Sequence, residues 1–196
     1  MLVTNAKGYD DLRITAFAPR TSAPVQANFS AAPAGYEIQS WQFANNNTER
    51  GLNGVTQTPH SWARCGTDIN MHVHMSTTGA LAEGVVVGFF VSLFVQKMWT
   101  SLAEAYNPAN PYWCFHTVPA GGYGAGTHIM TTDIAIPATY FGTSSMMMLY
   151  VFRKKTSAIT TVNAGEVTEN VDDVFWLHEV DFHVQTVNNG TRTPAV

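Results

Sequence analysis

The run "VVVGFFVSLFV" occupies residues 85–95. It falls well short of the ~20 residues a helix needs to cross a bilayer. Its β-branched and aromatic residues favour extended chain. Apolar residues stand at both parities, so as a strand it is covered on both faces. The extension to residue 98 predicts one long buried strand at the centre of an all-β protein.

Outward from this strand, other segments also read as extended chain, residues 12–17 and 36–43 among them alternating with period two. "LRITAF" (residues 12–17), "YEIQSWQF" (36–43), "DINMHVHM" (68–75), "THIMTTDIAIP" (127–137), "SMMMLYVFRKK" (145–155) and "VFWLHEVDFHVQTV" (174–187) read as strands. Turn composition marks "ANNNTERGLNG" (44–54) and the glycine-rich "PAGGYGAG" (119–126). The best helical candidate is "WTSLAEAY" (99–106), stopped by "NPANP" (107–111). Seven or eight strands, long connections and little helix predict an antiparallel jelly-roll β-sandwich. Residues 1–35 are expected to form an N-terminal strand and an extended arm, either part of the same domain or reaching a neighbouring subunit, with "SAPVQANFSAAPAG" (22–35) as the arm, and residues 36–196 the jelly-roll domain.

The 196 residues suit one domain with a real core. Charged residues are 12% of the chain, about half the usual share of roughly 25%. Its surface must therefore use Thr, Asn, Ser, Gly and apolar groups, as assembly proteins do. The net charge is −4, and Arg153, Lys154 and Lys155 form one basic cluster, read as a strand end. No nucleic-acid partner is expected. No membrane partner is expected either, and the opening "MLVTNAKGYDD" has no charged-then-apolar signal pattern.

Two places could carry chemistry. His72 and His74 share one strand face by alternation, and Glu179, Asp181 and His183 share another. Were those strands paired, the groups would converge as ligands for zinc, manganese or iron, as in cupin-type sites. The plainer reading makes His72, His74, Asp181 and His183 polar pins between strands. A histidine would then donate to Asp181, with no metal and no cofactor. Cys114 and His116 would share a face and could form a thiolate pair, although cysteine is more often a small buried hydrophobe. Cys65 and Cys114 imply no disulfide framework. No GxSxG, HExxH or SxxK pattern occurs, and "GGYGAG" (121–126) lacks the strand–turn–helix context of a nucleotide loop.

"MMMLYVF" (146–152) is apolar on both faces, either as a central strand or because a neighbouring subunit covers one face. Met146, Met148 and Tyr150, with Val25 and Phe29 of the arm, are the candidate interface. Exposed aromatic residues such as Trp62, Tyr106, Tyr112, Trp113 and Tyr123 would make a glycan platform in a lectin-like alternative.

Three segments in order, "YDDLRI" (9–14), "TPHSWARCGTDINMHVHM" (58–75) and "HEVDFHVQTVNNGTRT" (178–193), resemble those of virion structural proteins from tailed bacteriophages. Met75 stands where an aromatic is usual in that pattern, and "NNGTRT" replaces a Gly-Ser-Arg step. The resemblance implies a jelly roll with a place on the particle, as capsid cement, head-spike base or tail component. The expectation drawn is a non-enzymatic capsid decoration or cement protein, a homotrimer bound to the major capsid protein on the phage head. A tail- or fibre-associated module is the alternative within the same class.

Overall fold

A computed structural model describes residues 7–15, 17–19, 24–28, 39–44, 49–58, 68–155 and 157–187. In chain order the strands are β1 (Lys7–Ile14), β2 (Phe17–Pro19), β3 (Val25–Asn28), β4 (Gln39–Phe43), β5 (Arg50–Gln57), β6 (Ile69–Thr77) and β7 (Val86–Gln96). They continue with β8 (Tyr112–Thr117), β9 (His128–Met130), β10 (Ile134–Ile136), β11 (Met146–Arg153), β12 (Ala158–Thr161), β13 (Gly165–Thr168) and β14 (Phe175–Val187). The fold is an antiparallel, all-β sandwich of the jelly-roll type.

One sheet runs β10-β6-β14-β4-β3, with β1 also on β14 and β9 also on β6. The other runs β2-β5-β11-β7-β8. Val87, Phe89, Val91, Leu93 and Val95 of β7 point between the sheets, where they join Met71, Val73 and Met75 of β6 and Val180, Phe182 and Val184 of β14. Phe89 packs edge-on to both Phe43 and Phe175. On the outer face Phe90 joins Trp113 and Phe152, and Ile159 and Val167 of the β12–β13 hairpin pack over them. The central strand is thus covered on both faces at its middle, as its two apolar parities require. Toward its end Phe94 is only half-buried.

Three expectations change. Residues 50–54, glycine-rich and turn-like, are strand β5. At Gly51 the absent Cβ leaves room for the Tyr150 ring, whose nearest atom would lie 2.3 Å from it. Residues 99–106 form no α-helix; only Leu102–Glu104 makes a single 3-10 turn, where Ser101 N–H and Oγ both donate to Glu104 Oε2 at 2.8 and 3.0 Å. Val95 and Tyr106 exchange backbone hydrogen bonds of 2.9 and 2.8 Å, which draws the chain back to extended form. Finally, "LRITAF" is divided between β1 and β2, which belong to different sheets.

The described parts of residues 1–35 are strands of the chain's own sheets: β1 on β14, β2 on β5, and β3 on β4.

Candidate functional site

The outer face of the β6–β14–β1 sheet collects the polar chemistry. Alternation turns Ile69, Met71, Val73 and Met75 inward, so Asn70, His72, His74 and Ser76 face out. In β14 the register shifts between Leu177 and Glu179. That bulge at His178 changes the phase: Phe175 and Leu177 point inward before it, Val180 and Phe182 after it. Glu179, Asp181 and His183 therefore face out beside β6. The pairs are Glu179 with His74, Asp181 with His72 and His183 with Asn70. On the other side β1 sets Asp11 against His183 and Arg13 against Asp181. His72, His74, Asp181 and His183 thus come together on one face.

Their contacts differ from a simple His–Asp pin. His72 Nδ1 lies 3.0 Å from Asp133 Oδ1, and His72 Nε2 lies 2.9 Å from His74 Nε2. His74 Nδ1 lies 2.9 Å from His128 Nε2. His72 Nε2 is 3.7 Å from Asp181 Oδ2, too long for a hydrogen bond. Two overlapping triads, His72–Asp181–His183 and His74–Glu179–Asp181, each offer one donor atom per residue within 4.8 Å of one another. Among the described residues, these could hold a metal.

Sequence reasoning missed Asp133, His128 and His178. Asp133 and His128 arrive from the β9–β10 segment, whose backbone and Thr131 hydroxyl both bond Val73. His178 sits between Ser40 Oγ, 2.9 Å from its Nδ1, and Ser76 Oγ, 2.9 Å from its Nε2. Five of the seven histidines therefore share this one face.

Burial, with His128 and His74 nearby, pushes the His178 imidazole down to about 4. Burial and then His72 lower His74 too, against the pull of Glu179. A histidine depressed in the fold is protonated more readily in the unfolded chain. Its stabilising effect is complete above the unfolded value of 6.5 and is lost as pH falls from there toward about 4. In chelator, the melting temperature is expected to fall over that window. His178→Asn is expected to flatten the fall, as followed by circular dichroism.

The remaining candidates separate clearly. Cys114 is fully buried, burial pushes its thiol up, and His116 Nε2 instead meets the Tyr123 hydroxyl at 3.0 Å. No reactive thiolate pair forms there. Tyr112 and Trp113 are buried, and Tyr106 stacks on Tyr140 with centroids 3.7 Å apart, so these three make no exposed platform. Trp62, Cys65 and Phe29 lie outside the described residues.

On the opposite sheet, registers align Val55, Met148 and Phe94 in one row across β5, β11 and β7, with Met146 beside them. Val55 is 60% exposed and Met146 is exposed. Tyr150 is half-buried, its hydroxyl donating to Glu49 Oε1 at 3.0 Å. Val25 is exposed on β3. After β7, Trp99 is 95% exposed at a φ of 65°, beside exposed Met98 and Leu102.

No family model matches the chain. No curated protein matches it either. Among solved structures it is similar to the enzymatically active domain of tailspike protein 4 from bacteriophage CBA120, at 8% identity and a TM-score of 0.35. That match covers 92% of this chain and 19% of the tailspike chain. A structure of infectious bursal disease virus, Gx strain, matches at 11% identity and a TM-score of 0.34, over 96% of this chain and 33% of that one. A third likeness is to a structure from work on endo-acting O-glycanases of human gut microbiota, at 10% identity and a TM-score of 0.32, over 88% and 92% of the two chains. Similarities of this size carry no argument about chemistry or partners. No helix among the described residues is long and apolar enough to cross a membrane.

Proposed function

We propose that the chain is a non-enzymatic structural protein of a tailed-phage virion, a decoration protein that binds the head shell as a homotrimer. The observation that carries this reading is the meeting of the three phage-like segments. Their described parts form β1, β6 and β14, three adjacent strands of one sheet. Segments at the beginning, middle and end of the chain thus build a single framework.

Two apolar surfaces give the reading its physical content. The Val55–Met148–Phe94 row is assigned to self-association, since a flat sheet face suits an interface between identical copies. The Trp99 loop is assigned to the major capsid protein, because tryptophan anchors dominate binding energy. Many copies of a modest interface, each about 1,600 Å², then hold neighbouring capsomers together. Synthesis in the host cytoplasm and a final place on the phage head follow from this role.

Light scattering is expected to give a trimer. Val55→Lys is expected to yield smaller species with an unchanged melting temperature. Trp99→Ala is expected to weaken binding to purified heads by about 30-fold, equivalent to roughly 2 kcal/mol. Gold labelling of intact particles on the shell would support the decoration role. Labelling on the tail would replace it with the tail-associated module, and a monomeric wild type would overturn the trimer.

A further inference from the structure

Hydrogen bonds account for the rings of the cluster but not for its buried carboxylate. A proton relay can run from His128 to His74, from His74 to His72, and from His72 Nδ1 to Asp133. Asp181 gains nothing from it. The residue is 2% exposed, and its Oδ1 has no hydrogen-bond partner. Its Oδ2 stands 3.7 Å from His72 Nε2 and 3.8 Å from His183 Nε2, beyond hydrogen-bond reach of both. Arg13 lies opposite Asp181 in register and attracts it, but its guanidinium hydrogen-bonds Asp11 at the surface. A buried carboxylate oxygen with no hydrogen-bond donor is unfavourable.

We infer that His72, His74, His183 and Asp181 bind a divalent first-row transition metal of the zinc class. Four ligand atoms held about 2.0–2.1 Å from a tetrahedral ion lie roughly 3.3 Å apart. Three of the six spacings, 2.9 Å (His72–His74), 3.7 Å (His72–Asp181) and 3.8 Å (His183–Asp181), bracket that value, and His74 is tied to the His72–Asp181–His183 triad through Asp181, which lies within 4.8 Å of it. Three imidazoles with one carboxylate select this class over magnesium or calcium, which prefer oxygen.

The surrounding groups suit the assignment. Asp133 accepts the Nδ1 proton of His72 and leaves Nε2 free to ligate. His74 Nδ1 donates in the same way to His128 Nε2, freeing its own Nε2. In this tautomer the two Nε2 lone pairs face each other at 2.9 Å, a contact that a shared cation satisfies in place of the relay's proton. Glu179, 3.7 Å from His74 Nε2, adds negative charge beside the ion. His183 is one-third exposed, with Asp11 Oδ1 at 3.5 Å, and forms the open rim through which an ion enters. The ion would tie β6 to β14 and, through Asp133, to the segment before β10.

The test uses the full chain stripped with a chelator and titrated with zinc alone, with magnesium as the control. Calorimetry is expected to show one saturable zinc per chain, a raised melting temperature and no response to magnesium. Asp181→Asn and His183→Gln are each expected to weaken zinc binding at least tenfold, and Asp133→Asn by about 10- to 100-fold. In chelator, Asp181→Asn is expected to melt no lower than the parent chain, since it removes an unpaired charge. His183→Gln alters a rim residue and keeps the test decisive if the buried variant misfolds. No saturable zinc uptake would overturn the inference, as would equal affinity in the parent and His183→Gln.

Discussion

Gly88→Ala is expected to cost at least about 3 kcal/mol, the range reserved for severe core or backbone faults. A Cβ at position 88 would lie 2.1 Å from the Cys114 carbonyl oxygen and 2.9 Å from the Phe115 Cα. Both are backbone atoms of β8, the neighbour of β7, so no side-chain rotation relieves the overlap. The strands must separate at the point where Phe89 and Phe90 fill the two layers of the core. Gly124→Ala is the control: nothing lies within 4 Å of its added Cβ. Urea melts should show a large fall in midpoint for the first variant and almost none for the second. Equal midpoints would mean that β8 has slack that its close approach to Gly88 denies.

The same contrast explains what could be read in the sequence. The β7 strand was legible because burial on both faces writes itself as a continuous apolar run. Period-two alternation made legible that His72 and His74 share one strand face and Asp181 and His183 another; their convergence rests on the β6–β14 pairing and its register, which the sequence left conditional. What escaped depends on partners distant in sequence. Gly51 and Gly54 look like turn residues in isolation, yet Gly51 yields to Tyr150, and Gly54 to Ile14 and Phe17. His178 repeats no pattern, because a bulge removes it from the alternation. His128 and Asp133 reach the cluster only through the pairing of two three-residue strands with one edge of β6. A local reading of residues 99–106 favours a helix, but backbone pairing of Tyr106 with Val95 overrides it.

Arg153 carries the second large effect. In sequence it heads a basic trio; in the fold its side chain is 3% exposed. Its Nε and Nη2 donate to the two carboxylate oxygens of Glu169 at 2.9 and 3.0 Å. The guanidinium also donates to the carbonyls of Val171 and Asp173 and lies 3.7 Å from the Phe175 ring centroid. Lys155, two residues on, pairs with Asp172. These bonds hold the segment between β13 and β14, and so fix where β14 enters the sheet that carries the histidine cluster.

Arg153→Met would leave the Glu169 carboxylate buried and unpaired, at a cost of about 3–5 kcal/mol. Glu169→Gln should cost less, because the amide oxygen still accepts one of the two bonds. The double variant Arg153→Met, Glu169→Leu should lose much less than the sum of its single changes, since it removes both charges together. A double-mutant cycle from urea melts measures that coupling. Additive losses would assign the stabilisation to the backbone carbonyls of Val171 and Asp173 instead of to Glu169. Against a total domain stability of about 5–15 kcal/mol, the Arg153→Met change alone removes a large share. The buried ion pair is then a condition for placing β14, and with it every outward-facing group from Glu179 to His183.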